Sequence, residues 1–184
     1  MQSEQELIKG CTEGRRASQK ALYDRYCRKM MAICLRYAKS TAEAEDVLQE
    51  GFIKVFANLK NFRSESRLDT WMTRIMINAG LNQNRQKLYL MPMVDINDVD
   101  ISEPEEISLS HFHFSELVLL IQSLPEGCRM VFNLFAIEGY GHKEIASLLN
   151  VSEGTSKSQY NRAKSLLRTK LMEMEKEFGK YGRK

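Results

Sequence analysis

The chain has 184 residues, 43% hydrophobic and 28% charged, the balance of ordinary globular protein and enough length for one large domain or two small ones. No apolar run approaches the roughly 20 residues that cross a bilayer, and Glu4 and Glu6 stand where a leader would carry a basic stretch, so neither anchor nor leader is expected and a cytoplasmic location follows. Net charge is +3 overall but is distributed as +6 over residues 1–89, −6 over 90–110 and +3 over 111–184: basic, acidic, basic.

There is no Asn-Gly or Asp-Gly hairpin turn and no sustained alternation, whereas apolar residues recur at three and four along most of the length, which predicts an all-α protein. The first long helix, about 17–38, carries Tyr23, Tyr26, Cys27, Met30, Cys34 and Tyr37 on one stripe. Its two cysteines, with Cys11 and Cys128, form no C-x-x-C pair and read as buried reduced thiols, with no metal site. Ser40 and Glu43 form a capping-box pattern for the next helix, which runs to about residue 59. Leu48, Phe52, Val55 and Leu59 make its inner face, while Asp46, Gln49, Glu50 and Ile53 fall together on another. An apolar residue among acids suggests a docking surface; a solvated face with one stray isoleucine gives the same pattern.

A short polar and basic loop, 61–67, precedes a third helix reaching about residue 87, for which Ser66 and Asp69 are candidate caps. Trp71, Arg74, Ile75, Asn78, Asn82 and Arg85 share one side of it. An indole, cations and amides together suit stacking on bases and neutralising phosphates. The same spacing also fits Trp71 and Ile75 in a core with the rest at the surface. Residues 91–106 then hold two of the three prolines, six acids and no basic residue, so 90–110 is expected to be an extended acidic linker between two helical domains, 1–89 and 111–184.

In the second domain Leu124, Pro125 and Glu126 read as a helix start, ending near Glu138 and Gly139. A short helix over 142–149, a turn at Asn150, Val151 and Ser152 with Ser152 as N-cap, and a final helix complete a helix-turn-helix over about 143–170. On the last helix Lys157, Ser158, Asn161, Arg162 and Ser165 lie on one face, opposite Tyr160, Ala163 and Leu167. Arg and Lys match guanine acceptors, Asn matches adenine and Ser fits either, while Lys164, Arg168 and Lys170 farther along suit phosphates. A basic solvated face has the same period; the preceding helix and capped turn make it a DNA reader.

Two stretches, 42–85 and 124–171, together resemble the extracytoplasmic-function (group 4) sigma factors of bacterial RNA polymerase. AEDVLQEGF at 44–52, Asn61, Phe62 and Arg63, and TWMTRI at 70–75 with Asn78 are similar to the family's region 2; Leu124 and Pro125, EGY at 138–140, KEIA at 143–146 and SEGTSKS at 152–158 are similar to region 4. The resemblance implies a region 2 helical bundle and a region 4 helix-turn-helix joined by the acidic linker. It implies core polymerase and promoter DNA as partners, admits an anti-sigma factor, and needs no cofactor. Asp46, Gln49, Glu50 and Ile53 would meet the polymerase clamp helices. Asn61, Phe62, Arg63, Trp71, Arg74 and Asn78 would open the −10 element and capture a flipped base. Thr155, Lys157, Ser158, Asn161, Arg162 and Lys164 would grip the −35 duplex, and the linker would thread the RNA path. Ser156 departs from a common apolar core residue, Gln159 from a frequent Arg and Gly141 from a common Ser cap. An ordinary helix-turn-helix regulator is the alternative function. An enzyme is disfavoured, since no nucleophile constellation or phosphate loop occurs and His111 and His113, flanking Phe112, read as structural.

Overall fold

The computed structural model describes residues 3–88 and 113–181, and every described element is helical. The chain forms two compact units, residues 1–83 and 84–184. The acidic stretch expected to be an extended linker, together with His111 and Phe112, lies outside the described residues.

The first unit contains α1 (Glu4–Thr12), α2 (Arg16–Tyr37), α3 (Thr41–Asn58), a 3-10 turn (Leu59–Asn61) and most of α4 (Leu68–Leu88). Helix α2 buries Leu22, Tyr26, Met30, Ile33, Cys34 and Tyr37; α3 buries Ala44, Val47, Leu48, Phe52 and Val55; α4 buries Leu68, Met72, Met76, Ile77 and Ala79. These stripes meet closely because two glycines permit it. A Cβ on Gly51 of α3 would stand 2.1 Å from Met76 Sδ, and one on Gly80 of α4 would stand 2.9 Å from Tyr37 Cβ. Tyr23 and Cys27 sit at the edge of the α2 stripe, Tyr23 exposed and Cys27 half-buried.

Capping follows local chemistry with two differences from the sequence reading. Ser40 Oγ accepts the Glu43 N–H at 3.2 Å, but the Glu43 carboxylate takes the Lys39 N–H at 2.8 Å, one residue outside the expected box. Ser66 does not cap α4. Asp69, inside the first turn, accepts the Thr70 N–H at 2.8 Å and the Lys29 ammonium at 2.7 Å, so its charge complements the helix N-terminus and ties α4 to α2. Helix α1 was not anticipated. It starts with a complete box, Ser3 and Glu6 exchanging bonds of 2.7 and 3.2 Å.

The second unit holds α5 (Phe114–Gln122), also unanticipated, α6 (Glu126–Phe132), α7 (His142–Leu149) and α8 (Glu153–Tyr181). Beyond α6 the helix widens into a π-turn over Asn133–Ile137, with the Glu138 N–H bonded to the Asn133 carbonyl at 3.0 Å. Gly139 at φ +79° supplies the left-handed residue that ends it. Asn150, at φ 54°, ends α7 in the same region, where Asn is tolerated. Ser152 Oγ then accepts the Thr155 N–H at 2.9 Å and starts α8. Leu124, Cys128 and Ala163 are buried together with Phe132, Leu166 and Leu167 against them, which seats α8 on α6.

Candidate nucleic-acid interfaces

Of the α8 residues expected to meet DNA, Lys157, Lys164 and Ser165 are exposed, and Thr155, Asn161, Arg162, Arg168 and Lys170 are half-buried. Lys157, Asn161, Lys164 and Arg168 follow the i, i+4, i+7, i+11 progression of one helix stripe. Ser158, expected on the reading face, is buried, and its hydroxyl donates to the Thr155 carbonyl at 3.0 Å. At 3.6 residues per turn it stands about 60° from Asn161, at the edge of the stripe, and there a short hydroxyl finds its own backbone before it finds a ligand. Gln159 is buried too, its Oε1 accepting from the Cys128 thiol at 3.0 Å.

Both lysines of the stripe are already oriented. Lys157 pairs with Glu153 at 2.7 Å, which holds that carboxyl below the usual range. Lys164 Nζ lies 5.0 Å from the Tyr160 ring centre, a cation–π contact. Tyr160 belongs to a group of rings: Phe135 lies 4.5 Å from it and stacks on His142 at 4.2 Å and 11°. His142 Nδ1 is 2.9 Å from the fully buried Ser156 Oγ.

In the first unit Asn61, Arg63, Arg74, Asn78 and Asn82 are exposed, while Phe62, Trp71 and Ile75 are half-buried. Trp71 and Ile75 are therefore not core residues; α4 buries its methionine face instead. The Phe62 and Trp71 rings tilt together at 5.2 Å and 48°, leaving a partly open aromatic surface between the loop and the helix. Ser64 at φ 57° bends that loop. Asp69 braces its far side, with Arg67 at 3.2 Å and Lys29 at 2.7 Å holding the carboxyl below its ordinary value, the Lys29 hydrogen bond first. Arg85 was expected on the same face, and its side chain lies outside the description.

On α3, Asp46 and Gln49 are exposed and Ile53 is 69% exposed, whereas Glu50 is half-buried and pairs with Lys54 at 2.5 Å. Beside them runs an open groove of about 390 Å³ between α2 and α3, lined by Tyr23, Cys27, Arg28, Met31, Glu45, Leu48 and Gln49. Two of the four cysteines are buried thiols held in the protonated form. Burial pushes the Cys34 thiol up to about 12 and the Cys128 thiol up to about 11, so neither is a thiolate at neutral pH.

The family signature Sigma-70 region 2 matches residues 22–87, and Sigma-70, region 4 matches residues 114–167. The chain belongs to the sigma-70 family. Its relatives include the ECF RNA polymerase sigma-E factors of Escherichia coli (strain K12) and Salmonella typhimurium (strain LT2), each 29% identical over 181 residues covering 92% of this chain and 94% of theirs. The RNA polymerase sigma-H factor of Pseudomonas aeruginosa is 29% identical over 178 residues, covering 90% and 92%. These place it in the extracytoplasmic-function group of sigma-70 proteins. Among solved structures it is similar to CnrH in complex with the cytosolic domain of CnrY (18% identity, 90% and 94% covered, TM-score 0.45). It is also similar to the sigma factor RpoE in complex with the anti-sigma factor NepR from Bartonella quintana (22% identity, 84% and 96% covered, TM-score 0.49).

The sequence reading distributes these candidate residues over α8, over the 61–67 loop with α4, and over α3, and among the α8 set Ser158 is buried. It had not singled out Asp69 as a brace or His142 as a partner of Ser156. The chemistry behind the second is general: a serine hydroxyl buried in a helix packing face needs a polar neighbour.

Proposed function

We propose that this protein is a sigma factor that binds core RNA polymerase and directs promoter-specific transcription initiation, holding the −35 element as duplex and opening the −10 element. The observation that carries it is the order of region 2 and region 4 along one chain, with an aromatic and amide face on α4 and a basic stripe on α8. The alternative of a helix-turn-helix regulator acting without polymerase leaves region 2 unexplained and is not favoured.

In this reading Thr155, Lys157, Asn161, Arg162 and Lys164 contact the −35 duplex. Lys157 exchanges its Glu153 partner for DNA, and Lys164 swings from Tyr160 to a phosphate. Asn61, Phe62, Arg63, Trp71, Arg74 and Asn78 receive the unpaired −10 strand: rings supply stacking, amides read base edges and guanidinium groups neutralise phosphates. Asp46, Gln49, Glu50 and Ile53 dock on polymerase. Ile53 contributes apolar area and the acids contribute orientation, because exposed charges steer more than they bind. The protein works in the cytoplasm, where its partners are, and performs no catalysis of its own; no described helix is long and apolar enough to cross a membrane.

Run-off transcription by purified core polymerase on a promoter library, with and without the protein, tests this. The expected result is a discrete set of promoter-dependent transcripts only when the protein is added. Absence of such transcripts together with absence of core binding would sink it.

A further inference from the structure

Helix α7 joins α8 through the turn at Asn150 and Ser152, which fixes only the C-terminal end of α7. The opposite end is held by different chemistry. His142, the first residue of α7, is half-buried, stacked on Phe135 of the π-turn at 4.2 Å, with its ring centre 5.9 Å from Tyr160 of α8 and its Nδ1 2.9 Å from Ser156 Oγ. Ser156, in the first turn of α8, is fully buried, and a buried hydroxyl without a partner is destabilising.

We propose that the His142–Ser156 pair is a latch that fixes the crossing angle of the recognition helix, making His142 a positioning residue for −35 binding. This rests on the reading of the second unit as a reader of duplex DNA. The turn and the buried Ile145 and Leu149 seat α7, and the latch adds a polar point of attachment at its first residue, the end farthest from the turn. The exposed stripe from Lys157 to Arg168 begins one residue beyond Ser156, so a tilt at the latch moves every contact along it.

The surroundings of His142 favour the neutral ring. The charges about it are Lys157 and Glu153 of α8, paired with each other at 2.7 Å; Lys143 and Glu144 of α7 itself, Glu144 accepting the Gly141 N–H at 2.8 Å; and Glu138, which follows the π-turn, with the Tyr160 phenol the remaining titratable group. Burial first, then the Lys157 ammonium, hold the His142 imidazolium below the usual value of 6.5, against an opposing pull from Glu153. The neutral ring's contribution is therefore complete above 6.5 and is lost as pH falls through the lower folded value.

Hydrogen exchange of the 153–160 amides in the full chain, with His142→Phe, Ser156→Val and the double variant, tests the latch directly. His142→Phe keeps a ring on Phe135 but strands the hydroxyl, so exchange should rise about fivefold; removing both polar partners should return it towards the wild type. On going from about pH 7.5 to about 5.5, exchange corrected for its intrinsic rate should rise in the wild type and not in the double variant. Equal exchange in the single and double variants, or identical pH profiles for wild type and double variant, would overturn the latch. With holoenzyme on a promoter recovered from the run-off library, −35 protection should follow the same order. Unchanged −35 protection across the variants would overturn the positioning role. No −35 protection by the wild-type holoenzyme would instead overturn the duplex-reading assignment, while exchange still decides whether the latch exists.

Discussion

Trp71 is half-buried with one side against Phe62, and Asn78 lies two helical turns farther along the same exposed side of α4. A ring held this way is oriented before any base arrives, which lowers the ordering cost of stacking. Trp71→Ala and Asn78→Ala should each slow promoter opening by about tenfold, the weight of one stacking or edge contact of about 1–3 kcal/mol. Permanganate reactivity of −10 thymines in the holoenzyme complex reads opening, and footprinting of the −35 element should stay at the wild-type level. Loss of both signals together would mean that these residues hold the fold and not the strand. The sequence left two readings of this face open, and the half-burial of Trp71 and Ile75 beside exposed Arg74 and Asn78 is what the structure adds. Ser158 was not legible. A helical wheel gives an angle, and whether a short hydroxyl at the edge of a stripe turns outward or back onto its own carbonyl is decided by what packs beside it.

Among the elements, α2, α3 and α4 read clearly because each carries more than four turns of apolar period, and packing supplies what propensity does not. Helices α1 and α5 have nine residues each, too short to stand out by period, and are stable only against their neighbours. The Ser3 and Glu6 box was the available sign of the first. The close approach of α4 to α2 is a stricter constraint than the apolar stripes revealed. At Gly80 an added methyl meets Tyr37 Cβ, which is main-chain-fixed and has no rotamer by which to retreat. Gly80→Ala should destabilise the first unit by about 1–3 kcal/mol, the range for overpacking. Urea unfolding followed by the fluorescence of Trp71 measures it, and an unchanged midpoint would show that the helices slide apart at no cost. Gly51→Ala should be milder, since its obstacle is the movable end of Met76.

At the scale of the whole molecule, two units on one chain, in the proposed reading, grip DNA as a pair with a strength set by how closely their spacing is held to that of the two promoter elements. The free chain should therefore bind a promoter at least about 100-fold more weakly than the holoenzyme does, which fluorescence anisotropy at matched salt would measure. Equal affinities would mean that the chain arranges its own two interfaces. The division into basic, acidic and basic segments was plain from charge alone, whereas the length of α8 was not, because the helix runs through Gly179, a residue that commonly marks an end. That helix has 29 residues, about 44 Å at 1.5 Å per residue, and continues well past residue 167, where the region 4 match stops. Its stripe from Lys157 to Arg168 is cationic, and beyond Lys170 acids and lysines alternate: Glu173, Glu175, Lys176, Glu177 and Lys180. The basic segment ends near residue 170 and the helix does not, so in the proposed reading the mixed-charge remainder of α8 gains no net pull from phosphates and only the first part of the rod serves the duplex.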